Sequence, residues 1–170
     1  GVGTRLVTAF EQPALGGVYK LGAIRNEDQE WEPRLKLSEQ AIKTSTPGIL
    51  QTRRYLNENG AVADMIFNEL APPSSERSVV IDPLDPTRRR VLDDKLDSQD
   101  LLIPVVQQGE IVHQHESLSV IRERAQQQLD LFHVGIQRHL DPHEYPVGLE
   151  QGLYDYKTEQ ILQARKLNHQ

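Results

Sequence analysis

Gly1-Val2-Gly3-Thr4-Arg5-Leu6-Val7-Thr8 opens the chain with residues whose chemistry belongs to the backbone. Two glycines around one residue let the chain bend tightly and leave bare N–H groups accessible. Consecutive N–H groups turned inward make a concave anion site, and a hydroxyl such as that of Thr4 adds a donor. A phosphate suits such a cradle, with Arg5 adding positive charge. The same Gly-x-Gly-Thr spacing also suits an ordinary turn, so the motif by itself leaves both readings open. Phosphate loops normally join a strand to a helix inside a larger α/β unit. Here the chain opens on the loop with no methionine or strand before it, so it reads as the tail of a longer polypeptide.

The remaining chemistry-bearing residues point elsewhere. On a strand His113 and His115 would share a face and could reach one metal ion. The other histidines, His133, His139, His143 and His169, are scattered and there is no cysteine, so a solvated pair is the preferred reading. Arg88-Arg89-Arg90 could contact phosphate, yet Asp93, Asp94 and Asp97 follow and offset the local field. That triplet reads as a solvated strand face. Glu27, Asp28, Glu30 and Glu32 read as a charged turn. No arrangement of Ser, His and Asp and no carboxylate pair marks a nucleophile or general acid. On these residues the chain holds a ligand loop, no catalytic group and no metal site.

The chain has 170 residues, enough for one domain or a domain with an appendage. Its hydrophobic share is 37% and its aromatic share 5%, against an apolar share of roughly 45–50% with Gly counted in an average domain. The core should be modest. A net charge of −6 argues against nucleic-acid and anionic-membrane partners, which need a basic surface. No apolar run approaches the length of a membrane span and no signal peptide is visible. The absence of cysteine excludes disulfides and thiolate chemistry and fits a reducing cytosol.

The elements that must position the loop follow from pattern. Val18–Ile24 and Pro33–Ser38 read as two strands of a hairpin around the polar turn Glu27–Glu30. Thr44-Ser45-Thr46-Pro47-Gly48 is a break in composition, and the domain boundary is placed there. Ile49–Leu56 and Ala61–Phe67 read as a second hairpin through Asn57-Glu58-Asn59-Gly60, whose Asn-Gly step suits the positive φ values of a tight turn. Pro72-Pro73-Ser74-Ser75 reads as a linker. Ser78–Ile81, Arg88–Leu92 and Leu101–Gln107 read as three shorter strands, with Asp82-Pro83 and Asp85-Pro86 as turns. Ser117 caps a helix with one apolar stripe of Leu118, Ile121, Ala125, Leu129 and Phe132. After Pro142 and Pro146 a second, less regular helix is expected through Leu149, Leu153, Tyr156, Ile161, Ala164 and Leu167. Arg165 and Lys166 near its end favour the helix dipole.

The opening octapeptide, Gln12-Pro13-Ala14-Leu15-Gly16-Gly17-Val18-Tyr19-Lys20-Leu21, Pro33-Arg34-Leu35-Lys36-Leu37-Ser38-Glu39, Lys43 and Thr46-Pro47-Gly48 resemble the C-terminal part of nicotinate phosphoribosyltransferases. The resemblance is most specific over residues 1–48 and thins between 68 and 116. It returns at Leu118, Arg122, Ala125 and Leu129 and in the last helix. It implies an α+β chain. Residues 1–44 would be the C-terminal end of an irregular α/β barrel (type II phosphoribosyltransferase-like), and residues 45–170 a small β-rich module closed by two helices. It implies an enzyme joining nicotinate to phosphoribosyl pyrophosphate, with ATP hydrolysis and Mg²⁺ assisting, to give nicotinate mononucleotide in NAD salvage. That enzyme would be cytoplasmic and homodimeric. Gly3 and Thr4 would give N–H groups to the phosphoribosyl phosphate, Gly1 would shape the turn, and Arg5 is a further candidate. The histidine that the family phosphorylates and the groups that grip the nicotinate ring would lie in the upstream part of the same protein, and no ligands for Mg²⁺ or ATP are visible in this segment. This piece alone is therefore expected to be inactive and to bind that upstream part.

Two rivals stand beside that reading. One is a free-standing α+β interaction module whose glycine loop is only a turn. A cooperative thermal transition of an isolated monomer would favour it, whereas a piece of an enzyme should be poorly soluble or partly unfolded alone. The other is a related phosphoribosyltransferase acting on nicotinamide or quinolinate.

Overall fold

The computed structural model describes residues 18–27, 29–73 and 77–167. In chain order it contains β1 (Ala23–Ile24), β2 (Glu32–Pro33), a short 3-10 turn (Ala41–Lys43), β3 (Leu50–Asn57) and β4 (Gly60–Asn68). Then come β5 (Arg77–Ile81), β6 (Arg89–Asp93), β7 (Asp97–Asp100), β8 (Val106–Gln107), β9 (Glu110–Ile111), α1 (Leu118–Asp130), β10 (Val147–Glu150) and α2 (Gln151–Leu167). The class is α+β, as expected.

One six-stranded sheet organises these elements, in the order β6-β5-β10-β4-β3-β7. Neighbours are antiparallel except β10 and β4, which run parallel. Directly paired residues share a face, and the register gathers the core on one of them. Tyr55 lies opposite Ala63 on the central hairpin, and these two join Met65, Phe67, Val80 and Leu92 in a single buried cluster. The opposite face buries Ile81 and Leu149, partners across β5 and β10. There α2 packs on β5 and β10 and presses Leu153, 3% exposed, against them.

The central hairpin forms where expected, but its turn works differently. Only Gly60 takes a positive φ, +111°, while Glu58 and Asn59 do not. The Asn57 side chain accepts from Asn59 N at 2.9 Å, and the register shifts by one residue between Tyr55 and Leu56. This is a turn followed by a bulge, one of the common hairpin closures.

Four other expectations need correction. The pairing expected over Val18–Ile24 and Pro33–Ser38 contracts to Ala23↔Pro33 and Ile24↔Glu32. Gly22 O instead accepts from Arg34 N and Gly48 N, both at 2.8 Å, which bends the chain off a strand path, and Pro33 has no N–H to continue a ladder. Leu101–Gln107 is not one strand. Only the backbone bond from Leu101 N to Thr52 O extends the sheet there, Pro104 interrupts donation, and the sheet edge is made by the exposed polar stretch Asp97–Asp100. Charged residues suit such an edge because they discourage further pairing. Leu149 belongs to a strand, not a helix: β10 is inserted between β5 and β4, and the apparent helical spacing from Leu149 to Leu153 crosses a strand-to-helix junction. Finally, α1 forms with Ser117 as its cap, but none of its residues is buried, so the stripe of Leu118, Ile121 and Leu129 faces outward.

Candidate functional site

Gly1, Gly3, Thr4 and Arg5 lie outside the described residues, as does Asp28 of the acidic turn. The described structure begins with the segment that follows the loop, and it shows how that segment is held. A Cβ on Gly22 would sit 2.7 Å from Gly48 O, so only glycine allows the close approach that lets Gly22 O serve two donors. The Ser45 hydroxyl accepts from Lys36 N at 2.7 Å, and Ser45 N donates to Lys36 O at 3.1 Å. Asn68 Oδ1 accepts from Ile49 N at 3.1 Å. Ser45, Pro47 and Gly48 are buried. The Thr44–Gly48 stretch, read as a break in composition, is therefore a packed junction.

Lys157 of α2 closes this junction by donating from Nζ to Thr46 Oγ1 at 3.1 Å. Burial lowers its pKa from the ordinary 10.5, because the charged form loses hydration without an acidic partner among the described residues. The ammonium therefore opposes folding in full below its folded-state pKa. That penalty fades as pH rises toward 10.5, where the folded protein sheds its proton before the unfolded one does. Lys157→Met should accordingly gain stability over the parent at neutral pH and lose that advantage above pH 10.5. Paired thermal melts at the two pH values test it, and a pH-independent difference would refute the burial account.

A second cluster joins the sheet to the loop between α1 and β10. Arg54 Nε and Nη2 donate to the two Asp64 carboxylate oxygens at 2.8 Å each, and Nη1 donates to Gln128 Oε1 of α1 at 3.0 Å. Tyr145 OH donates to Asp64 Oδ1 at 2.8 Å. The guanidinium stacks on Phe132, 4.8 Å from the ring centroid, and Phe132 meets Tyr145 edge-on at 4.9 Å. Asp64 raises the Arg54 pKa by hydrogen bonding and charge, against burial. Burial, then the Asp64 carboxylate, pushes the Tyr145 phenol far above its ordinary range, so it stays a donor. Every buried polar side-chain atom of this cluster is satisfied, as a network in low dielectric requires.

Sequence reasoning passed over this cluster, and one local irregularity explains why. Counting outward from Asn57 and Gly60 with no bulge would place Arg53, not Arg54, opposite Asp64. The bulge shifts the register and brings Arg54 there, leaving Arg53 to pair with Asp100 at 2.6 Å across β3 and β7.

Tyr145 also lines a cleft of about 420 Å³ at the end of β10, β5 and β6. Its apolar walls are Val80, Pro146, Val147 and the Tyr145 ring. Its polar side carries Arg88 and Arg90 together with Asp82 and Glu144. Arg88 pairs with Glu144 and, at 3.7 Å, with Asp82. The arginine triplet is exposed, as a solvated strand face should be, but it also borders this sizeable cleft.

His113 and His115 sit outside any strand. His133 and His143, read as scattered, are stacked with parallel rings 6.4 Å apart. Gly135 allows this, since a Cβ there would lie 2.6 Å from His143 Nδ1. Among the described residues no three His, Cys, Asp or Glu side chains gather as metal ligands. No described helix is long and apolar enough to cross a membrane.

Comparison with known proteins places this architecture. A family model described as the nicotinate phosphoribosyltransferase C-terminal domain matches residues 51–157, a span that includes the stretch where the likeness read from sequence thins. Nicotinate phosphoribosyltransferase of Bacillus subtilis (strain 168) is 29% identical over 168 residues, covering 97% of this chain and 34% of that protein. Nicotinate phosphoribosyltransferase 1 of Arabidopsis thaliana is 32% identical over 163 residues, 92% of this chain and 28% of that protein. The Homo sapiens enzyme is 32% identical over 158 residues, 90% of this chain and 28% of that protein. The chain thus spans about a third or less of the length of these relatives. A crystal structure of human nicotinic acid phosphoribosyltransferase shares the fold, with a TM-score of 0.60 at 23% identity over 69% of this chain and 24% of that one. With the family model covering residues 51–157, from the central hairpin through the arginine cleft to Lys157 in the first turns of α2, the chain belongs to the nicotinate phosphoribosyltransferase C-terminal domain family.

Proposed function

We propose that this chain is the C-terminal portion of an enzyme that joins nicotinate to phosphoribosyl pyrophosphate, with ATP hydrolysis, giving nicotinate mononucleotide in NAD salvage. The observation carrying this reading is the family match over residues 51–157, with the relatives aligning along nine-tenths or more of the chain. Residues 1–44 are the end of the catalytic core and residues 45–170 the appended module, and the working enzyme is a cytoplasmic homodimer. Gly1, Gly3, Thr4 and Arg5 hold the phosphoribosyl phosphate. The clamp of Gly22 against Gly48 and Arg34 supports this division of labour, because it fixes the path of the chain leaving that loop.

The described residues do not gather the carboxylates a Mg²⁺ site needs, so no step is assigned to Mg²⁺ or ATP here. Oriented N–H groups lower the energy of a bound phosphate. Without groups that polarise the ribose–pyrophosphate bond they accelerate little, and the 170-residue chain alone should not turn over. In the complete enzyme Thr4→Ala should raise KM for phosphoribosyl pyrophosphate, a loss of about 1–3 kcal/mol for a donor to a charged group. Steady-state kinetics with phosphoribosyl pyrophosphate varied check this. Unchanged KM and kcat would remove Thr4 from the site.

A further inference from the structure

We propose that the apolar side of α1 is the surface by which this module docks on the catalytic core that precedes it in the complete enzyme. The inference rests on reading the chain as the C-terminal portion of that enzyme. α1 runs 13 residues, Leu118–Asp130, and none of them is buried. Leu118, Ile121 and Leu129 are 70%, 42% and 54% exposed, and Ala125 lies exposed between them. Their spacing of three and four puts all four on one side of the helix. Among the described residues, the hydrogen bonds that tie this helix to the sheet lie at its C-terminal end. Arg54 Nη1 donates to Gln128 Oε1 at 3.0 Å, and Ala61 N donates to Leu131 O at 2.7 Å. Ile121 is two turns before Gln128 and shares its side, yet stays exposed. The module therefore supports only the end of the helix.

A helix of about 12–15 residues or fewer is marginal in water, and helices in proteins owe most of their stability to the packing of an apolar face. The Ser117 cap adds only about 1 kcal/mol. A surface laid over the stripe supplies what the sheet does not. Area decides which surface that is. At 1.5 Å per residue and one helix width of about 10 Å, the stripe offers roughly 200 Å². A stable contact between separate molecules takes about 800 Å² from each. A covalently joined partner needs far less, because its effective concentration reaches about the millimolar range. The relatives carry such a partner, since this chain spans 28–34% of their length and leaves most of each outside it. The flanking charges of Arg122, Glu123, Arg124 and Asp130 cancel, so the receiving surface is apolar and carries no required charge.

Hydrogen exchange at the α1 amides, measured in the 170-residue chain and in the complete enzyme, tests this, with the β3 and β4 amides as the folded reference. In the shorter chain the α1 amides should exchange almost unprotected. In the complete enzyme they should exchange about 100-fold more slowly or better. Ile121→Gln with Leu129→Gln keeps good helix formers in place and removes the apolar stripe. Both side chains are exposed, so the pair should leave the Tm of the shorter chain unchanged. In the complete enzyme it should cut α1 protection about tenfold or more, a result that decides the matter even where the shorter chain folds poorly. Equal α1 protection in the two proteins, or full protection in the complete double variant, would overturn the proposal. So would protection that appears in the shorter chain alone and grows with its concentration, which would assign the stripe to a second copy. Turnover is scored separately. A complete enzyme that protects α1 but does not join nicotinate to phosphoribosyl pyrophosphate would sink the functional reading and leave the docking surface standing.

Discussion

Asp64→Ala is expected to destabilise the module by about 3–5 kcal/mol, the effect of leaving one member of a buried ion pair unanswered. The two side chains are about a tenth exposed, so the stranded Arg54 charge could not recover its hydration without opening the sheet. The substitution also removes the acceptor of Tyr145 OH, loosening the segment that enters β10. Urea titration with hydrogen exchange followed at the β3 and β4 amides measures the loss. A change below about 1 kcal/mol would mean the pair behaves as an exposed one. Converting both partners together, Arg54→Met with Asp64→Leu, should restore most of the stability, because two well-packed apolar groups need no counter-charge. That contrast separates the cost of an orphaned charge from the net worth of the pair.

Gly60→Ala is the second large effect. Gly60 has a φ of +111°, and a Cβ there would lie 2.2 Å from Leu131 O, the carbonyl that accepts from Ala61 N at 2.7 Å. The turn is therefore also the socket for the end of α1. Left-handed strain of about 1–2 kcal/mol joins overpacking of about 1–3 kcal/mol, giving an expected loss of about 2–4 kcal/mol. The hairpin tip would have to withdraw from the helix end, so exchange protection of the Ala61 amide should fall more than that of the sheet interior. Parental stability in the Gly60→Ala protein would show that the tip is not held against Leu131.

These two sites show where sequence reading reaches and where it stops. The hairpin over Ile49–Phe67 was legible because apolar and β-branched runs flank an Asn-Gly step, a purely local signal. The buried Arg54–Asp64 pair was not, because a one-residue bulge decides which arginine lies opposite the aspartate. The edge strand Asp97–Asp100 was equally hidden. Its residues are polar and exposed, and what makes it a strand is the unpaired backbone of β3 beside it. The opening loop was read from its glycines and falls outside the described residues.

The position of the central hairpin, capping at Ser117 and the α+β class came from the amino-acid order alone, since each depends on neighbours a few positions apart. Tertiary structure alone decided the insertion of β10 between β4 and β5, the burial of Arg54 and the meeting of Arg88 and Arg90 with Tyr145 in one cleft. Those outcomes pair residues dozens of positions apart, and only closing the sheet fixes which backbone donors and which charges become neighbours.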